Sequence, residues 1–262
     1  MLQQAAASVP VIAGAEGPLQ RALVTARETH GEEGLGDHGV DPAAAVQPSA
    51  RALCDALAMA GGPVVLVTLG PLTNLALALQ ADRTLVTSSV IRHVAMAGNI
   101  EAAGNTGPFS EFNMWCDPEA AAIVLDAGLG TELVGLDVTR QLVIPAAAVA
   151  RLATHAEESA RWLGRLLGFY VRFHEEAEGL AGAVINDPLA VALAVEPDIG
   201  TTETYRLAMD VSEGPDRGRT RIATGPGGAV ARAYRSFDHG RVHQLLTDHV
   251  FGPWLSPGDF RP

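Results

Sequence analysis

Four side chains suited to binding a sugar lie within a fifteen-residue, glycine-rich part of the chain, and they are Asn99, Asn105, Glu111 and Asn113. An asparagine amide both donates and accepts hydrogen bonds, and a carboxylate accepts them from hydroxyl groups. The cluster therefore favours a polyhydroxylated ligand such as a sugar. The alternative is a loop whose asparagines bond only to their own backbone. Four polar groups in one connection between a strand and a helix favour the binding site.

The elements on either side of this segment are a predicted strand and a predicted helix. Ile91–Met96 is an apolar run that predicts a buried strand, and Asp117-Pro118 begins a helix with aspartate as its N-cap. An earlier β-branched run, Val64–Thr68, predicts a strand buried on both faces, and Gly70-Pro71 ends it before the helical segment LTNLALAL. We expect His93, inside the second strand, to face a core that satisfies its hydrogen bonds.

The alternation of strand and helix continues along the chain. It comprises a strand at Glu132–Leu136, a polar turn at Asp137–Thr139, an amphipathic helix at Glu157–Glu176, a helix opened by an Asp187 cap before Pro188, and late strands at Tyr205–Val211 and Thr220–Thr224 joined by the loop Ser212–Gly218. This order predicts an α/β fold with a mostly parallel open sheet and helices on both faces. We expect one domain over residues 1–262, with ligands bound beyond the carboxyl ends of the strands.

Composition excludes several classes of partner. Of the 262 residues, 48% are apolar, and the formal net charge of −12 disfavours nucleic acid and anionic membranes as partners. No apolar run approaches the roughly 18 residues that span a bilayer. The first residues lack the basic and apolar regions of a signal peptide, and two cysteines without metal-binding spacing suit a reduced compartment. These observations predict a cytoplasmic protein.

Six motifs, taken in order, resemble those of the inosine–uridine-preferring nucleoside hydrolases. They are VPVIAGAEGPL, HGEEGLGD, VTLGPLTNLALAL, GNTGPFSEFNMWCDPEAA, GLDVT and NDPLAVA, and the pattern E-F-N-x-x-x-D-P-E-A-A is the most specific part. The resemblance implies a nucleoside-hydrolase-like α/β fold and hydrolysis of the N-glycosidic bond of a ribonucleoside to free base and ribose. It also implies a bound Ca²⁺ that holds the attacking water and the ribose diol, and a homo-oligomer, either a dimer or a tetramer.

The resemblance also assigns roles to individual residues. Asn105, Glu111 and Asn113 would bind the ribose hydroxyls. Asp187 would be a carboxylate ligand of Ca²⁺, and the backbone carbonyl of Leu69 would be a second ligand.

Two departures from the family pattern affect the expected chemistry. The chain has no D-x-D-P-G-x-D-D motif, which in the family follows the first strand and supplies two metal carboxylates and the base that activates water. The resemblance thus implies a sheet without that first strand and an incomplete Ca²⁺ site, because Ca²⁺ takes six to eight oxygen ligands. The nearby acids do not restore the motif, and we interpret them as solvated charges; they are Glu16, Glu32, Glu33, Asp37 and Asp41. Where many members have a histidine that protonates the leaving base, this chain has Asn186, which has no proton to give at neutral pH.

Three interpretations stay open from the sequence. The first is a nucleoside hydrolase whose complete form carries the aspartate motif upstream of Met1. The second is a catalytically inactive member that binds nucleosides or serves in assembly. The third is a different α/β enzyme, such as a nucleotide-binding protein; it is disfavoured because neither G-x-G-x-x-G nor G-x-x-x-x-G-K-[ST] occurs in the required context.

Overall fold

A computed structural model describes residues 9–32, 34–36, 48–225 and 227–261 of the protein. Glu33, Asp37 and Asp41 lie outside these ranges, so their interpretation as solvated charges stays a prediction. The strands in the described residues are β1 (Val64–Thr68), β2 (Val90–Ala95), β3 (Glu132–Leu133), β4 (Val143–Pro145), β5 (Gly182–Val184), β6 (Gly200–Met209), β7 (Thr220–Ile222) and β8 (Ala229–Phe237).

Helices connect and cover these strands. They are α1 (Arg27–His30), α2 (Ala52–Ala60), α3 (Thr73–Ala81), α4 (Arg83–Ser89), α5 (Phe112–Cys116), α6 (Pro118–Leu125), α7 (Leu136–Thr139), α8 (Ala146–Ala153), α9 (Glu158–Phe173), α10 (Asn186–Val195) and α11 (His239–Leu246). A π-helical turn, His174–Glu178, continues α9. Within the described ranges, no helix has the length and apolar character to cross a membrane.

The main sheet has six strands in the order β1-β2-β3-β8-β6-β7. β1, β2, β3 and β8 run parallel to one another, whereas β6 is antiparallel to β8 and β7 is antiparallel to β6. β4 and β5 form a separate antiparallel pair. The α/β class and the mostly parallel sheet are confirmed, and the carboxyl ends of β1, β2 and β3 meet at one edge.

Apolar residues pack on both faces of this sheet. Alternate residues of β2 point to opposite faces, so Val94 joins the core beneath α8–α11 while Ala95 joins the core beneath α2, α3 and α6. The most deeply buried members of the first core include Leu142, Ile144, Leu152, Leu189 and Leu193, and those of the second include Leu72, Leu75, Met114 and Leu133. Helices on both faces, as predicted, bury these residues.

Several local predictions are corrected by the structure. The central strand β8 was not predicted, and the turn at Asp137–Thr139 is the short helix α7. Asp187 is not a helix cap: α10 begins one residue earlier, at Asn186, and no side chain accepts a hydrogen bond at its N-cap position. The predicted Asp117 cap is confirmed, because its Oδ1 accepts from the backbone N–H of Ala120 at 3.1 Å.

Asp117 also joins three segments of the chain. Its Oδ2 accepts from the Thr73 hydroxyl at 2.6 Å and from the Leu19 backbone N–H at 2.9 Å. The carboxylate is fully buried. It therefore fixes the start of α6 against α3 and against the segment before α1.

An ion-pair cluster around the buried Glu132 connects three parallel strands. Glu132 of β3 accepts from Arg92 of β2 at 2.6 Å and from the Tyr234 hydroxyl of β8 at 3.0 Å, and it also pairs with Arg232. Burial tends to raise the pKa of Glu132, but the hydrogen bonds from Arg92 and Tyr234 outweigh it and lower the pKa. Glu132 is thus an ionised link across the sheet.

Candidate active site

A pocket of about 260 Å³ lies at the carboxyl ends of β1 and β2. Six of the seven residues that the sequence analysis considered for the site line this pocket, the exception being Asn99; the six are Leu69, Asn105, Glu111, Asn113, Asn186 and Asp187. They come from separate connections: after β1, between β2 and α5, and after β5. The structure thus brings the predicted set together.

Glu111 is the most deeply buried of these residues, at 2% exposure. Its carboxylate caps α5 by accepting from the backbone N–H groups of Asn113 at 2.8 Å and Met114 at 3.1 Å, and it also accepts from Gly98 at 2.9 Å. Burial raises the pKa of Glu111 to about 7, against the lowering effect of these bonds. Since two carboxylate oxygens have about four acceptor sites, one hydroxyl can still be bound after these three bonds.

Asn113 and Asn105 each have one end of the amide fixed by backbone. The Asn113 Nδ2 donates to the Met96 carbonyl at 2.9 Å, and the Asn105 Oδ1 accepts from the Phe112 N–H at 2.9 Å. Within the described chain, the Asn113 Oδ1 and the Asn105 Nδ2 make no further hydrogen bond. One acceptor and one donor are therefore oriented and open to a ligand.

Asn99 belongs to the loop and not to the site. Its Nδ2 donates to the carbonyls of Ala102 at 2.7 Å and Phe109 at 3.0 Å, and it does not line the pocket. For this residue the local backbone role, the alternative raised from the sequence, is correct. Phe112 does line the pocket.

Asp187 and Leu69, to which the resemblance assigns metal binding, lie on one side of the pocket. Water reaches Asp187, yet the surrounding protein raises its pKa to about 6 by desolvation. No cluster of three or more His, Cys, Asp or Glu side chains suited to a metal occurs in the described part of the chain. One carboxylate and one carbonyl fall short of the six to eight oxygens of a Ca²⁺ site, so the described residues do not fit a complete Ca²⁺ centre.

An aromatic wall, made of His30, Tyr170 and His174, faces the same pocket. The Tyr170 ring stacks on His30 with centroids 5.6 Å apart and meets His174 edge-on at 4.1 Å. Burial lowers the pKa of both histidines and raises that of Tyr170. At neutral pH the wall therefore presents neutral imidazoles and a protonated phenol.

Asn186 is attached to this wall. Its Nδ2 donates to the Tyr170 hydroxyl at 2.8 Å, while its buried Oδ1 has no hydrogen-bond partner within the described chain. The His174 Nδ1 is also buried and has no hydrogen-bond partner among the described residues. Sequence reasoning missed Tyr170 and His174; their spacing of four residues, which places them on one helix face, was the available clue.

Comparison with known proteins agrees with this geometry. The model of the family described as "Inosine-uridine preferring nucleoside hydrolase" matches residues 1–244. The chain is 32% identical over 216 residues to a putative pyrimidine-specific ribonucleoside hydrolase of Shigella dysenteriae, an alignment that covers 81% of this chain and 79% of that protein. The corresponding protein of Shigella sonnei is also 32% identical, with 68% of its length covered.

Solved structures give the same result. A plant nucleoside hydrolase superposes with a TM-score of 0.81 at 26% identity, covering 94% of this chain and 81% of that one. A purine-preferring ribonucleoside hydrolase from Gardnerella vaginalis superposes with a TM-score of 0.77 at 27% identity, covering 88% of this chain and 76% of that one. The chain therefore belongs to the inosine–uridine-preferring nucleoside hydrolase family, whose enzymes hydrolyse the N-glycosidic bond of ribonucleosides.

Proposed function

We propose that this chain binds a ribonucleoside in the 260 Å³ pocket and hydrolyses it to free base and ribose. The ribose would lie against Asn105, Glu111 and Asn113, and the base against the aromatic wall. The observation that carries the proposal is that six residues selected by motif, from separate connections, line one pocket.

In the transition state of this hydrolysis, positive charge develops on the sugar ring and negative charge develops on the departing base. The oriented Asn113 Oδ1 and the Glu111 carboxylate can accept hydrogen bonds from sugar hydroxyls as the ring becomes electron-poor. This binding favours the transition state over the substrate. Water attacks the anomeric carbon, the bond to the base nitrogen breaks, and that nitrogen takes up a proton from a donor, which the proton lost by the attacking water then restores.

Tyr170 is the proposed proton donor to the base. Its hydroxyl oxygen accepts from Asn186 at 2.8 Å, which leaves the phenolic hydrogen free for a ligand. Burial raises the pKa of Tyr170, so the group keeps its proton at neutral pH. In this arrangement Asn186 orients the donor rather than supplying the proton.

Calcium is proposed from the family resemblance alone. Asp187 and the Leu69 carbonyl would be two of its ligands, and when bound the ion would polarise water for attack. The described residues alone make an incomplete Ca²⁺ site. The incomplete set of Ca²⁺ ligands supports the second interpretation, a member that binds nucleosides without turnover.

The test is release of ribose from inosine and from uridine by the purified protein, with Ca²⁺ or with a chelator. Binding of each nucleoside is measured in parallel by calorimetry. Asn113→Ala should weaken binding and lower turnover by about 10- to 100-fold, whereas Asn99→Ala, which removes an amide outside the pocket, should leave nucleoside affinity unchanged. Equal nucleoside affinities in these two variants would exclude this site.

Turnover separates the two interpretations. Release of ribose that a chelator abolishes supports the hydrolase, and binding without release supports the inactive member. If the hydrolase is active, Tyr170→Phe should slow inosine cleavage by about 10²-fold or more, as expected for loss of a general acid. A riboside whose leaving group needs no proton should be cleaved by this variant at nearly the parent rate.

We also infer one domain over residues 1–262 and a cytoplasmic location from length and composition, and a dimer or tetramer from the resemblance. Two free cysteines, Cys54 and Cys116, are consistent with a reducing compartment. Light scattering on the purified protein gives its mass directly.

A further inference from the structure

We propose that Arg217 is a positioning residue for the sugar-binding side of the pocket. It lies in the loop of residues 210–219 between β6 and β7, about a hundred residues from the helix it contacts, α5. This inference rests on the proposed function, since α5 carries Asn113 and is capped by Glu111.

The side-chain hydrogen bonds of Arg217 both go to the C-terminal end of α5. Its Nε donates to the Trp115 carbonyl at 2.9 Å and its Nη2 donates to the Cys116 carbonyl at 3.3 Å. The guanidinium carbon lies 3.9 Å from the centroid of the Trp115 ring. One side chain therefore supplies two hydrogen bonds and a cation–π contact to a single helix end.

This helix end needs an external donor. α5 has five residues, too few to be stable alone, and its last carbonyls have no partner within the helix. The chain continues into Asp117 and Pro118, and proline has no N–H to donate. A guanidinium at the C-terminus also interacts favourably with the helix dipole. Arg217 thus substitutes for the C-cap that the local sequence does not provide.

The loop that carries Arg217 is itself fastened to α5. The Ser110 hydroxyl, just before Glu111, donates to the Arg217 carbonyl at 2.5 Å. Gly218 has φ of +72°, and a Cβ atom there would lie 2.4 Å from the Trp115 Cα, so only glycine permits this close approach. Both ends of α5 are therefore held by one two-residue stretch of the loop.

The functional consequence follows because the helix end that Arg217 holds is close in sequence to Asn113. Asn113 lies two residues from Trp115, and its Oδ1 must face a sugar hydroxyl within hydrogen-bonding distance. In enzyme sites, a misplacement of about 1 Å can lower the reaction rate by about 100-fold. We therefore expect Arg217 to act on nucleoside binding through α5, without contacting the nucleoside.

The experiment compares Arg217→Ala with Arg219→Ala in the full chain. Arg219 is the matched control because it lies in the same loop and stacks on Phe109, at 4.3 Å from the ring centroid, but it pairs with Asp216 and makes no hydrogen bond to α5. Inosine affinity should fall by about 10- to 100-fold in Arg217→Ala and by less than about 3-fold in Arg219→Ala. Added guanidinium chloride at non-denaturing concentration should restore affinity in Arg217→Ala only.

Hydrogen exchange on the ligand-free proteins tests the positioning independently of nucleoside binding. Arg217→Ala should lose amide protection in residues 111–116 while β1, β2 and the core helices keep theirs. If the parent binds no nucleoside, the proposed function fails, and this exchange pattern alone decides whether Arg217 positions α5. If the parent binds inosine and Arg217→Ala binds it equally well, or if residues 111–116 keep their protection, the inference is wrong.

Discussion

His93 is a fully buried imidazole between two threonine hydroxyls. Its Nε2 lies 3.0 Å from the Thr68 Oγ1 and its Nδ1 lies 3.0 Å from the Thr131 Oγ1. This confirms the prediction of a histidine in a satisfied core. Burial lowers its pKa from 6.5 to about 4, so the native state holds the neutral form.

The pH dependence of stability follows from that shift. Because the folded pKa lies below the unfolded one, the contribution of His93 is complete above pH 6.5 and is lost as the pH falls toward 4. The loss should amount to about 3 kcal/mol in the free energy of unfolding. Urea denaturation at a series of pH values should show a steeper acid decline for the parent than for His93→Gln; parallel curves would contradict this account.

Asp187 gives a second prediction at this scale. If its carboxylate binds Ca²⁺, Asp187→Asn should abolish the rise in melting temperature that Ca²⁺ gives the parent, since a ligand stabilises the state that binds it. Asp198→Asn, which removes a carboxylate that does not line the pocket, serves as the control. If Ca²⁺ does not change the melting temperature of the parent, or raises that of Asp187→Asn equally, the metal assignment is refuted.

Sequence predicted which residues line the pocket better than it predicted their individual contacts. Asn99 and Asn105 both follow a glycine in the same loop, and only tertiary contacts separate the backbone role of the first from the pocket position of the second. Tyr170 and His174 were not predicted because they occur in an amphipathic helix, where aromatic residues usually serve the core. Their meeting with His30 depends on how α9 packs.

At the scale of elements, the start of α6 shows how much one cap can stabilise. Asp117→Ala removes the cap and leaves the Thr73 hydroxyl and the Leu19 N–H without their acceptor. We expect a loss of about 3 kcal/mol in unfolding free energy, from about 1 for the cap and the rest for unpaired polar groups. Asp82→Ala is the matched control, because Asp82 caps α4 through one exposed bond to the Leu85 N–H and should cost only about 1 kcal/mol. Equal losses would show that the buried bonds contribute nothing.

The elements that sequence predicted best are those with clear local chemistry. β1 is a β-branched run and was located correctly, and the Asp-Pro start of α6 was too. β8 was missed because its run AVARAYRSF contains two arginines and small alanines, a composition untypical of a central strand. Arg232 and Tyr234 both bond to Glu132 on β3, a hundred residues earlier in the chain, and this contact cannot be read from the local sequence of β8.

At the scale of the whole molecule, the exposed edge of β1 is the feature that most favours self-association. In the described residues β1 pairs only with β2, and its sequence VVLVT has neither charge nor proline to discourage pairing with another chain. Val65 is 45% exposed and Ile91, on β2, is 67% exposed. An apolar groove of about 550 Å³ is lined by Leu69, directly after β1, together with Val191 and Val195.

We expect this edge to make the 262-residue chain self-associate. Val65→Lys should shift the size distribution toward smaller species, because a charge on an edge strand opposes pairing. Val230→Lys, also at an exposed valine but on the internal strand β8, should not. Size-exclusion chromatography with light scattering measures both; a monodisperse parent that melts cooperatively would contradict the expectation.

The place of β8 in the sheet also has a consequence for biosynthesis. β8 is the last of the described strands in chain order, and among them it alone joins β3 to β6, so the parallel and antiparallel parts of the sheet share no strand pairing until it is inserted. While the ribosome is still adding residues 1–228, the nascent chain holds two part-sheets with open inner edges. Such intermediates are the ones that aggregate or require chaperones. The two parts of the sheet should therefore join only after β8 has left the ribosome, and the yield of the protein in cells should depend on chaperone supply more than its final stability would suggest.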